Sequence, residues 1–149
     1  MGLYFASLTQ PAFCLGDCHN QWPGVLVLLL GWGAMFLGAV EGLAWFTNPL
    51  LLVAWITFWY PKVSVWFSIF AVTLSAAFLL FPGITMGNFH NDELDFTPII
   101  HRHLGYWLWL SSTIVMLVGN GIQLNVLHNK QERHAEMEDL PWWRISLFS

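Results

Sequence analysis

Charge is what this sequence has least of. Five lysines and arginines and nine acidic residues make up 9% of its 149 residues, where a soluble domain carries roughly a quarter. The net charge of −4 leaves no basic patch, which argues against a nucleic-acid interface. Catalytic signatures are missing as well. There is no phosphate-binding loop, dinucleotide glycine motif, G-x-S-x-G, H-E-x-x-H or histidine pair spaced for haem b in a bundle. No ladder of basic residues crosses an apolar segment, as a voltage sensor requires. The opening MGLYFASLTQPAF has no basic n-region of a cleavable leader, and Ala6 stands where myristoylation needs serine or threonine.

Apolar residues are what is there. They form 56% of the chain, with a mean hydropathy of +0.57. In water so apolar a chain exposes large patches, so a bilayer is its natural solvent. Ten tryptophans agree, because indole rings favour the membrane interface. The size fits one membrane domain, residues 1–149.

Four apolar runs predict an all-α, polytopic bundle of about four antiparallel transmembrane helices. Residues 24–46 are long enough to cross a hydrocarbon core of ~30 Å, with Glu41 as their only charge. Residues 49–60 follow, with Pro49 suited to a first helical turn and Asn48 to its cap. Twelve residues rise only ~18 Å, so this run thins the bilayer, borrows residues from 43–48, or is re-entrant. Residues 63–82 and 104–126 make the third and fourth spans, separated by a polar outer loop, 83–103, and followed by a tail, 127–149. Short connections favour antiparallel neighbours.

Lysine and arginine set the orientation. Lys62, Lys130, Arg133 and Arg144 fall on one side of four spans and Arg102 alone on the other. The positive-inside rule then puts both termini in the cytoplasm, in a bacterial inner membrane, and loop 83–103 outside. The N-terminal segment carries no lysine or arginine. If residues 2–13 enter the membrane, the Cys14 region ends up outside instead.

Several groups are candidates for function. The stretch 88–103, NFHNDELDFTPIIHRH, holds His90, His101, His103, Asp92 and Glu93, imidazoles and carboxylates fit for zinc, copper or iron. His101 and His103 can share a metal only if the backbone between them is extended. A hydrated loop, a docking surface or a proton-handling surface explains the same residues. Glu41 is an ionisable group near the outer end of a span, with Arg102, His101 or His103 as partners. Ser112, Asn120 and Gln123 lie near one face of the fourth span, as interhelical hydrogen-bonding groups or the lining of a groove. Gly38-x-x-x-Gly42, with Gly31 a heptad back, and the line of Ser64, Ser68, Ala71 and Ser75 let helices approach closely, within the chain or onto a partner. Trp142 and Trp143, in the tail PWWRISLFS, form an interfacial anchor or a docking peptide.

Cys14-Leu15-Gly16-Asp17-Cys18-His19 is one residue longer than the haem-attachment pattern. Thiol oxidoreductases that feed quinone use C-x-x-C and often a second pair, neither of which is present. An extracytoplasmic Cys14 and Cys18 can pair as a disulfide; cytoplasmic ones stay thiols. No cofactor is strongly implied. The partners expected are the lipid bilayer and a membrane protein or a second copy of the chain, with no nucleic acid. The function expected is non-enzymatic contact, as an accessory or structural subunit of a larger membrane complex. One alternative is an immunity-type protector against a membrane-acting toxin. The other is a metal- or cofactor-dependent membrane enzyme built on the histidine loop.

Overall fold

The computed structural model describes residues 1–15, 21–33, 40–87 and 94–138. The chain is mostly helical. In order it forms α1 (Gly2–Thr9), β1 (Pro11–Leu15), β2 (Gln21–Pro23), α2 (Gly24–Leu30), a 3-10 helix (Val40–Phe46), α3 (Thr47–Ile56) and α4 (Pro61–Ala77). A 3-10 turn (Phe78–Leu80), β3 (Gly83–Gly87), β4 (Leu94–Arg102) and α5 (Leu104–Glu138) complete it. Two helical stretches, Pro61–Leu80 and Leu104–Ala135, are long and apolar enough to cross a membrane.

Helices α4 and α5 run antiparallel, and two hydrogen bonds fix their register. Ser75 meets Thr113 and Ser68 meets Asn120, seven residues apart on each helix. Pro61 fits the start of α4 because its missing N–H would be unpaired there anyway. The α3–α4 hairpin is tied in the same way, Ser64 Oγ donating to Ala54 O at 2.7 Å. The second run is helical only as far as Ile56, and the helix that contains it continues upstream as the 3-10 helix. A 3-10 helix rises about 2 Å per residue, so residues 40–56 extend about 29 Å.

The first run is not one helix. Within 24–46, α2 stops at Leu30 and the 3-10 helix begins at Val40. Two indoles satisfy carbonyls at the end of α2: Trp45 Nε1 donates to Leu28 O at 2.7 Å and Trp32 Nε1 to Leu29 O at 2.6 Å. Those oxygens would otherwise need the next helical turn. Gly31 permits the approach, since a Cβ there would stand 2.7 Å from the Trp45 ring. Gly31 and Gly42 therefore do not share a helix face. Asn48 is not a cap either; α3 starts one residue earlier, after Phe46.

Within the stretch expected to be a polar loop, 83–103, residues 83–87 and 94–102 form strands, so the fold is helical with a small sheet rather than all-α. The strand order is β2-β1-β4-β3, antiparallel throughout. β1 pairs with the end of β4, Phe13 opposite Arg102 and Cys14 opposite His101. β3 pairs with the other end, Gly83 opposite Pro98 through Gly87 opposite Leu94. The N-terminal segment and residues 94–102 thus lie in one sheet, at the end of the helices where α4 finishes and α5 begins. One apolar cluster beneath the sheet joins Phe13, Ala44, Phe78, Tyr106 and Leu110. A second, farther along the helices, joins Tyr4, Leu51, Ala54 and Met116.

Candidate functional site

The most concentrated chemistry is a polar seam between α3, α4 and α5. Thr47, Ser64, Ser68, Ser75, Thr113 and Asn120 have no solvent exposure at all. Spacings of three, four and seven residues put Ser64, Ser68, Ala71 and Ser75 on one face of α4. There their small side chains let the neighbouring backbones come close. Ser68 Oγ donates to Ser64 O and accepts from Asn120 Nδ2 at 2.6 Å. Ser75 Oγ lies 3.2 Å from Thr113 Oγ1, and Tyr106 Oη donates to Ser75 O at 2.8 Å. Ser112 turns back on its own helix, to Trp109 O. Two carbonyl oxygens here, Asn120 Oδ1 and Gln123 Oε1, are buried without a protein donor. A buried acceptor left unmade costs about 1–3 kcal/mol.

A second polar node escaped the sequence reading. Asn48 Oδ1 accepts from Trp109 Nε1 at 2.9 Å and from Tyr4 Oη at 3.3 Å, joining α1, α3 and α5. The sequence signal was an asparagine next to an apolar run, which looks like a cap when its distant donors are unknown.

At the sheet end, Arg102 is the organising cation. Its Nη2 donates to Phe78 O, Leu79 O and Phe81 O at 3.2, 3.1 and 2.8 Å. These carbonyls close the α4 helix, where the helix dipole favours a positive charge. The partner expected for Arg102, Glu41, lies in the 3-10 helix, and its side chain is outside the described part. The backbone is extended through His101 and Arg102, the condition for His101 and His103 to act together. His101 is exposed, whereas His103 Nε2 is buried without a partner. Among the described residues no three His, Cys, Asp or Glu side chains gather to hold a metal. His90, Asp92 and Glu93 lie outside the described residues, as do Gly38, Cys18, Trp142 and Trp143. Gly42 is buried in the 3-10 helix. Cys14 is fully buried in β1 and disulfide-bonded.

No protein family matches this chain, and no curated protein or solved structure is similar to it.

Proposed function

We propose that the chain is an integral membrane protein that works by protein–protein contact, as an accessory subunit of a larger membrane complex. One observation carries the membrane part: the helices have serine, threonine and asparagine sealed inside and large apolar side chains outside. Leu80 is 83% exposed and Trp59 82%, while Ser64, Ser68 and Ser75 are at zero. Water would penalise that arrangement; lipid rewards it, because helices in a bilayer associate through small and hydrogen-bonding residues. Trp59 and Tyr60, on the turn between α3 and α4, and Trp107, near the sheet, are exposed close to opposite ends of the α4–α5 pair, as aromatic belts require.

In this reading the sheet faces the extracytoplasmic side. Lys62, Lys130 and Arg133 belong to the end away from the sheet and Arg102 to the sheet end, as the positive-inside rule asks. The Cys14 disulfide supports the same orientation independently, since such bonds persist in oxidising compartments. In the same reading β1 lies outside with β4, its partner in the sheet. Contact surfaces are available on both faces of the membrane. The sheet presents exposed Pro98, Ile100 and His101, and residues 125–135 of α5 are exposed on every side. An eleven-residue stretch of helix is marginal in water by itself, and a partner laid along it would bury it.

The test is a mild-detergent pull-down of the tagged full chain, with mass spectrometry and metal analysis of the same sample. A stoichiometric membrane-protein partner is the expected result. A chain that comes alone, carrying about one metal per copy, overturns the subunit reading and favours an enzyme of the histidine segment.

A further inference from the structure

Asn120 Oδ1 and Gln123 Oε1 point to a bound molecule inside the seam. Asn120 is fully buried, and its amide nitrogen is engaged with Ser68 Oγ. Ser68 gives its own proton to Ser64 O, so it has none to offer the asparagine carbonyl. Turning the Asn120 amide over would set its oxygen against a spent hydroxyl and leave the NH2 group alone. Gln123 follows three residues later on the same helix, which puts the two side chains about 5–6 Å apart at Cβ. Both oxygens are shut off from bulk solvent and receive no protein donor.

Two neutral acceptors about one helical turn apart on α5 can both be met by one small molecule with two protons to give. A metal cation is a poor match, because hard cations gather about six or more oxygens and favour carboxylates. An apolar guest leaves both carbonyls unpaired. We propose that one buried water molecule donates to Asn120 Oδ1 and to Gln123 Oε1, forming the inner end of the seam that Ser68 and Asn120 begin. Buried waters of this kind are structural parts of a fold and make two to four hydrogen bonds to otherwise unsatisfied groups. The inference stands on the α4–α5 seam and not on the partner or orientation proposed above.

The direct test is nuclear magnetic resonance on the full chain in detergent micelles, reading cross-relaxation from water to side-chain amide protons. Cross-peaks with the sign of a long-lived water are expected at both Asn120 and Gln123. Asn48 is the internal reference, a buried amide whose oxygen is already filled by Trp109 and Tyr4. Absence of the peaks, or a peak at only one of the two residues, overturns the bridge. A mutant cycle of Asn120→Leu and Gln123→Met gives a second readout. Each single variant strands the other carbonyl, so melting should fall by roughly 2–4 °C per stranded acceptor. The double variant strands neither and should fall by clearly less than the sum. Strictly additive losses contradict a shared water.

Discussion

Single side chains hold this fold at places where a helix must end or two helices must meet. Arg102 is the clearest case, one nitrogen serving three carbonyls at the close of α4. Arg102→Gln keeps the length of the side chain's first part and loses the charge and the reach. Hydrogen bonds to charged groups contribute about 1.5–3 kcal/mol, so a loss of about 2 kcal/mol is expected, seen as a melting point lower by roughly 4–8 °C in detergent. Arg102→Lys should recover part of it, since an ammonium still favours the helix end. Equal melting of Arg102→Gln and the parent chain would show that the three contacts are idle. Asn48 makes the complementary prediction. Asn48→Leu leaves the Trp109 indole and the Tyr4 hydroxyl without their acceptor, whereas Tyr4→Phe removes only the longer of the two bonds. Thermal melting should rank Asn48→Leu well below Tyr4→Phe; the reverse order would mean the Trp109 contact is not formed.

Whole elements respond to what stands beside them, and glycines report this best. Gly105, at the start of α5, faces backbone: a Cβ would lie 2.6 Å from Pro11 O and 2.9 Å from Gln10 O. Neither atom can swing away, so Gly105→Ala should push α5 off the segment that leads into β1 and lower stability by more than 1 kcal/mol. Gly119 and Gly121, also in α5, have nothing within 4 Å of an added Cβ. There alanine gains helix propensity, about 0.8–1 kcal/mol, and each substitution should raise the melting point. The same contrast marks how far the sequence could be followed. Hydropathy located α4 and α5, and the spacing of Ser64, Ser68, Ala71 and Ser75 marked the face that packs, because both signals are periodic along one helix. It failed at 24–46, where Trp45 reaches back seventeen residues to Leu28 O; a local pattern cannot contain a donor that distant. It failed again at 83–103, since β4 is specified by its pairing with β1 and β3 rather than by alternation of its own residues. The three carbonyls that Arg102 meets could not be read in advance, because backbone oxygens at a helix end have no signature in sequence.

At the scale of the molecule, the pairing of β1 with β4 links two questions that the sequence left separate. The positive-inside count bears on residues 94–102 and has nothing to say about residues 1–20, which contain no lysine or arginine. Cys14 opposite His101 makes β1 and β4 one object: whichever side holds one holds the other. Two chemically unrelated observations then bear on the same choice, cation distribution for the helix ends and the disulfide for the sheet. Cysteine labelling in intact cells tests both together. Ile100→Cys sits on an exposed position of β4 and Glu132→Cys on the exposed far part of α5. The native Cys14 stays silent because it is buried and bonded. A membrane-impermeant maleimide should label Ile100→Cys on intact cells and reach Glu132→Cys only after lysis. The opposite pattern would invert the molecule and leave the disulfide in a reducing compartment, where it would not persist. Labelling of both positions in intact cells would mean that α4 and α5 do not separate the sheet from the far part of α5 across a bilayer. In that case another protein, rather than lipid, covers the exposed leucines and tryptophans.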